Sequence, residues 1–293
     1  MKKRVKDNPN KGLSFLYNTT IGRIILYPLV NSSFISKIVG IFMNSRLSKI
    51  LIKKFIKKHN INMDDYEKEK YNNFNDFFIR RIKNEKRLVD KNINNLMAPC
   101  DSKVTHYKIT KDLTFNIKNS KYSLSSIIND KSLEKEYLNG DILVFRLSPE
   151  DYHHYFFFDS GALVKSYEIK GKYHTVNPIV YDKYEVFKEN SRVVNVLKTD
   201  NFNKCLYIEV GALLVGKIVN IKKTGKFKRE EEKGYFKFGG STVVLVFKKE
   251  ILNIDKDILA NSKRGYETYV KYGEKIGEKR KWCFKFKNIM LLY

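Results

Sequence analysis

The sequence predicts an α+β protein: an amphipathic helical N-terminal region followed by a β-rich catalytic domain. Two observations carry the prediction. Apolar residues recur at helical spacing between about residues 13 and 85. From about residue 97 the chain turns to short β-branched runs broken by Gly, Asn, Asp and Ser. At 293 residues, 42% hydrophobic and 14% aromatic, the chain can bury a real core and is not broadly disordered.

In SFISKIVGIFMNSRLSKILIKKFIKKHN, residues Ile35, Ile38, Val39 and Phe42 fall at i, i+3, i+4 and i+7. Leu47, Ile50, Leu51 and Phe55 continue the stripe beside Lys49, Lys53, Lys54, Lys57 and Lys58. A basic amphipathic helix of this kind packs on a core or lies in a lipid interface. FNDFFIRRIK at 74–83 reads as a short aromatic helix ahead of a charged linker, KNEKRLVDKN. The runs GDILVFRLS, SGALVKSYEI, RVVNVLKTD, KCLYIEVGALLVGKIVNIKK and STVVLVFKK then read as strands. Val210-Gly211 and Val215-Gly216 suggest a tight corner or a bulge. The expected layout is residues 1–88 as the helical region and 89–293 as the β-rich domain, without internal repeats.

The formal charge of +25, from 57 Lys+Arg against 32 Asp+Glu, favours an anionic partner. That partner is nucleic acid or an acidic membrane surface, and the charge, part of which reflects a Lys- and Asn-rich composition, names neither by itself. No nucleic-acid-binding motif and no stacking pattern of aromatics accompany it, which argues against nucleic acid. The longest uncharged stretch, Ile24 to Ser36, contains Pro28 and falls short of the ~20 apolar residues that span a bilayer. MKKRVKDNPNKG lacks the apolar core and cleavage site of a targeting segment. The expectation is a protein that does not cross a membrane, with lying on one left open. Three scattered cysteines, Cys100, Cys205 and Cys283, argue against a disulfide framework and against a zinc site, and fit a reducing cytoplasm.

Four stretches of the second region carry residue types suited to bond chemistry: APCDSKV (Asp101), SPEDYHHYFFFDSG (Asp151, His153, His154), KYHTVNPI (His174, Asn177) and FGGST (Ser241). Three of the five histidines fall within two of these stretches. A serine activated by a histidine that an aspartate orients is the general recipe for a hydroxyl nucleophile. Each residue also has a plain structural reading: a satisfied buried histidine, an Asx-turn at Asp101, a bulge at Gly239-Gly240. Ser241 does not stand in the G-x-S-x-G elbow of hydrolases. It follows two glycines and leads directly into a stiff apolar run, which suits attack by its own hydroxyl on the preceding Gly240 carbonyl.

Together these stretches resemble the phosphatidylserine decarboxylases, specifically the bacterial proenzymes of clostridial type. The resemblance runs through FNDFFIRRIK, APCDSKV, RLSPEDYH, HTVNPI, EVGALLVGKI, EEKGYFKFGGST and GYETYVKYGEKIG, in the family's order. It implies a proenzyme that cuts itself between Gly240 and Ser241. Residues 1–240 become the large subunit and 241–293 the small one, with residue 241 converted to a pyruvoyl group, the covalent cofactor. That carbonyl condenses with the amine of phosphatidylserine and takes up electrons as CO2 leaves, releasing phosphatidylethanolamine. The resemblance assigns Asp101 to self-cleavage and His153 to decarboxylation. It makes the basic helices a docking surface on the cytoplasmic face of the membrane, and it leaves room for a homodimer.

Two positions depart from the family. It commonly reads D-Y-H-x-x-H, the second histidine being the base that activates the serine, whereas this chain reads DYHHYF and places Phe156 there. APCDSKV has Ser102 where the family usually has Gly. The substitutes expected for the base are His154, two residues away on the same face of an extended segment, and, preferred, His174, where many relatives carry an aromatic residue. The alternative is a same-fold protein that does not mature and binds anionic lipid.

Overall fold

A computed structural model describes residues 2–5, 11–67, 70–117, 120–213, 218–239 and 241–280. Gly240, Val215-Gly216 and Cys283 lie outside these residues. The architecture is α+β, with helices concentrated in the N-terminal third and strands after residue 94.

Helix α1 (Lys11–Asn18) is followed by α2 (Thr20–Asn31), which starts where the Thr19 hydroxyl accepts a hydrogen bond from Gly22 N at 2.9 Å. Helix α3 (Ser33–Asn44) ends at Ser45, and a 3₁₀ turn over Arg46–Lys49 leads into α4 (Ile50–His59). The stripe from Ile35 to Phe55 is therefore not one helix. The turn re-aims it: Leu47 and Ile50 are 72% and 77% exposed, while Leu51 and Phe55 pack against Ile52, Phe74, Phe77 and Phe78. Helix α5 is shorter than the expected 74–83 and covers only Phe74–Phe78. Asn73 caps it by accepting from Asp76 N, and it ends because Arg80 turns inward and Ile82 forms a bridge with Tyr66.

The body of the molecule is a nine-stranded antiparallel sheet, ordered Arg4–Val5, Glu267–Val270, Ser102–Lys108, Asp141–Leu147, Ser241–Phe247, Asn203–Gly211, Arg192–Thr199, Gly161–Ile169 and Gly225–Phe227. Period-two alternation gives it two buried faces. Leu143, Phe145, Val243, Leu245 and Phe247 point to one core, together with Tyr155, Phe157 and Phe236. Ile142, Val144, Val244 and Val246 point to the other, which also holds Tyr17, Leu26 and Val30 from α1 and α2. A smaller three-stranded sheet (Ile218–Asn220, Glu232–Phe236, His154–Phe156) borders the first core. The Ser241–Phe247 strand is the middle one of the nine, and its first residue faces Leu147 on one side and Gly211 on the other.

Candidate active site

The approach to Ser241 is pinned from outside the sheet. Phe238 N donates to the Asn75 side chain at 3.1 Å, and the Phe238 ring meets Phe74 and Phe78 edge-on at 5.0 and 5.3 Å. Helix α5 thus fixes the chain just before the Gly-Gly pair. Gly239 is buried with φ of 139°, a conformation that strains any residue with a Cβ. The chain then enters the sheet at Ser241, which is fully buried.

His153 stands against that serine. Its Nδ1 lies 3.2 Å from Ser241 Oγ, and its Nε2 lies 3.0 Å from the Ser148 carbonyl. A carbonyl can only accept, so Nε2 carries the hydrogen and Nδ1 presents its lone pair to the serine hydroxyl. The ring packs on Phe78, with centroids 4.1 Å apart. Burial, and after it the charge of Arg80, drives the imidazole down to about 3, which leaves it neutral at physiological pH. Neutral, in the right tautomer and aimed at Oγ, His153 has the form of a general base.

The turn that presents His153 is built from polar contacts. Asp151 Oδ2 accepts from Ser148 N at 2.7 Å, and Lys103 Nζ donates to Ser148 Oγ at 2.5 Å and to Glu150 at 3.2 Å. Burial pushes the Asp151 carboxyl up to about 7 against the pull of Lys103. Arg80, only 1% exposed, donates to the Glu150 carbonyl at 2.9 Å and to the Tyr66 hydroxyl at 3.2 Å, and its guanidinium lies over the Tyr66 and Phe77 rings. Among the described residues it makes no ion pair.

The other residues singled out in the sequence sit elsewhere. Asp101 is held by Arg87, whose Nε and Nη2 both donate to it, and by Tyr272 N at 2.8 Å; among the described residues it bonds neither Ser241 nor a histidine. Phe156 stacks on Tyr272 at 3.9 Å, beside that pair. His154 does share its strand with Phe156, but its ring is engaged by Glu232 at 2.7 Å and the Ile79 carbonyl at 3.0 Å. His174 stacks on Tyr184 at 4.2 Å, and neither ring nitrogen has a hydrogen-bond partner. Its backbone reaches the site only indirectly: Asn190 accepts from His174 N and donates to the carbonyls of His174 and of Gly211, the neighbour of Ser241. The structure therefore joins Ser241 to His153 and places His154, His174 and Asp101 in separate networks. Arg80, Arg87, Tyr66 and Glu232 were not legible as site residues, although Arg80, Arg87 and Glu232 fall in the quoted segments. Among the described residues no group of three or more His, Cys, Asp or Glu is placed to hold a metal.

Fold and site define a protein class: an α+β protein with a buried serine at the head of a central strand, a neutral imidazole on its hydroxyl, and a Gly-Gly entry. A sequence profile of the phosphatidylserine decarboxylases matches residues 74–278. The chain is 49% identical over 273 residues to phosphatidylserine decarboxylase proenzyme 2 of Clostridium acetobutylicum, covering 93% of this chain and 94% of that one. It is 43% identical to the proenzyme of Clostridium botulinum (92% and 93% covered) and 42% identical to that of Clostridium tetani (96% and 95%). The chain belongs to the phosphatidylserine decarboxylase family and is a carbon–carbon lyase of the decarboxylase type.

Proposed function

We propose that the chain is a proenzyme that cleaves itself between Gly240 and Ser241, and that the mature enzyme decarboxylates phosphatidylserine to phosphatidylethanolamine at a membrane surface. The observation that carries the first step is the 3.2 Å contact between His153 Nδ1 and Ser241 Oγ. His153 takes the hydroxyl proton at Nδ1 while its Nε2–H stays on the Ser148 carbonyl. The freed Oγ attacks the Gly240 carbonyl carbon, the Gly240–Ser241 C–N bond breaks, and the acyl group passes from nitrogen to oxygen as an ester. Loss of the Ser241 Cα proton then expels Gly240 as a carboxylate, and hydrolysis of the remaining enamine releases ammonia and leaves the keto group. An imidazole depressed this far is a weak base, but a reaction each chain performs once tolerates a slow rate.

Ser241 fits its role as precursor of that group: it is buried, shielded from bulk water, and carries a base on its own oxygen. When formed, the pyruvoyl group supplies an electron-accepting carbonyl for loss of CO2 from an amino acid headgroup. His153, next to the same atom, is placed to deliver the proton that replaces CO2. Asp101, locked to Arg87, acts here by fixing the loop rather than by touching the serine.

Support for the membrane comes from α2 and α3, where Ile21, Ile24, Tyr27 and Ile41 are 66 to 72% exposed. Among the described residues no helix is long and apolar enough to cross a bilayer. These side chains enter a lipid interface, with Arg23, Lys37 and the lysines of α4 on anionic headgroups, and hold the enzyme peripherally on the cytoplasmic face. The test of the whole reading is the intact mass of the purified protein. Two fragments joining at 240/241 are expected, the smaller resistant to Edman degradation, and Ser241→Ala stays one inactive chain. An active, cleaved Ser241→Ala protein overturns it.

A further inference from the structure

The catalytic reading leaves unused a cavity of about 520 Å³ between α4 and residues 63–67 and 70–71. Its size is that of a small-ligand site. Ile52 and Ile56, one turn apart on α4, line it together with Met63 and Tyr71. Lys49, Lys53, Lys70 and Lys83 also line it, against two carboxylates, Asp64 and Glu67. None of the four lysines makes an ion pair among the described residues. Positive charge continues inward from there. Tyr66, also in the wall, is bonded through its hydroxyl to Arg80, the buried guanidinium that has no carboxylate partner among the described residues. Leu47, in the 3₁₀ turn, and Ile50, the first residue of α4, flank Lys49 and are 72% and 77% exposed.

We propose that this cavity binds the phosphodiester headgroup of an anionic glycerophospholipid, so that the protein docks on one particular lipid molecule as well as on a charged surface. The four lysines match a phosphate monoanion. The isoleucine side accepts the glycerol and the first methylenes, and Leu47 and Ile50 enter the acyl layer beside them. A free phosphate uses only the first of these features. The inference rests on the membrane reading of the N-terminal helices and is independent of the chemistry at Ser241.

Two triple variants separate a site from a field. Lys49→Gln/Lys53→Gln/Lys70→Gln removes three cavity lysines. Lys54→Gln/Lys57→Gln/Lys58→Gln removes the same charge from α4 outside the cavity. A diffuse field costs roughly fivefold per lysine and treats both alike. The proposal expects the cavity variant to bind phosphatidylcholine vesicles doped with phosphatidylglycerol at least about tenfold more weakly than the control variant. It also expects calorimetry with dihexanoyl phosphatidylglycerol below micelle formation to give one saturable site per parent chain, lost in the cavity variant and kept in the control. Equal loss in both variants overturns it, as does inorganic phosphate binding as tightly as the short-chain lipid. Failure of the parent itself to bind vesicles would instead sink the membrane reading, and chain cleavage in the same preparations reports on Ser241 separately.

Discussion

The turn at 148–153 and the loop at 173–177 each bury a histidine, and burial lowers both imidazoles, to about 3 at His153 and about 4 at His174. In charge state they are alike. They differ in wiring. His153 has both nitrogens committed, one to a carbonyl that fixes the tautomer and one to Ser241 Oγ. His174 has no hydrogen bond at either nitrogen, only the Glu189 carboxylate 3.6 Å from its Nε2, and one face against Tyr184. A base is made by the partner of its other nitrogen, which decides where the lone pair points; burial and nearness in sequence decide neither.

The effect that follows most directly from this comparison is in acid. His153 is depressed in the fold, so its neutral form contributes stability that is present above pH 6.5 and lost as pH falls towards about 3. Relative to its value at pH 8, the parent should lose about 3 kcal/mol more than His153→Gln by pH 4, read from urea midpoints. A pH-independent gap between the two would show that this histidine is not buried as described. Next is the Asp101–Arg87 pair. Arg87→Met strands a buried carboxylate, and unfolding should become easier by about 3–5 kcal/mol, a loss that Asp101→Asn in the same background largely restores.

Asp151 runs in the opposite direction. Its raised pKa means that its contribution is fully present below pH 3.8 and is lost as pH rises through about 7. Asp151→Asn should therefore gain on the parent between pH 4 and 7, by at most about 4 kcal/mol, and hold that advantage above. A flat difference in melting temperature over this range contradicts it. The smallest effect belongs to His174. With no hydrogen bond to lose, His174→Phe should stay within about 1 kcal/mol of the parent at pH 8 by chemical denaturation.

The strands were legible because β-branched runs bounded by turn residues state their period directly, and so was Ser241, because its Gly-Gly entry has no place in an ordinary strand. The stripe from Ile35 to Phe55 reads as continuous because steps of three and four resume at Leu47, although the step of five from Phe42 to Leu47 marks the 3₁₀ turn that rotates its face. Which histidine stands against Ser241 was beyond sequence reasoning for a similar cause. His154 and Phe156 do lie on one strand, yet Glu232, from a strand 78 residues later, claims the His154 ring. His153 sits just before that strand, where no periodicity predicts its direction. Arg80 carries no sequence signal of burial, since an arginine in FNDFFIRRIK reads as a solvated end of a helix.

The account stands or falls on which histidine takes the Ser241 proton. The direct measurement is the rate of conversion of full-length chain to two fragments, followed by intact mass from the moment of synthesis, in the parent, His153→Ala and His174→Ala. The prediction is that His153→Ala cleaves about 10²–10⁴-fold more slowly, with partial recovery in added imidazole, while His174→Ala keeps the parent rate. Cleavage at the parent rate in His153→Ala, or a stall confined to His174→Ala, would contradict it.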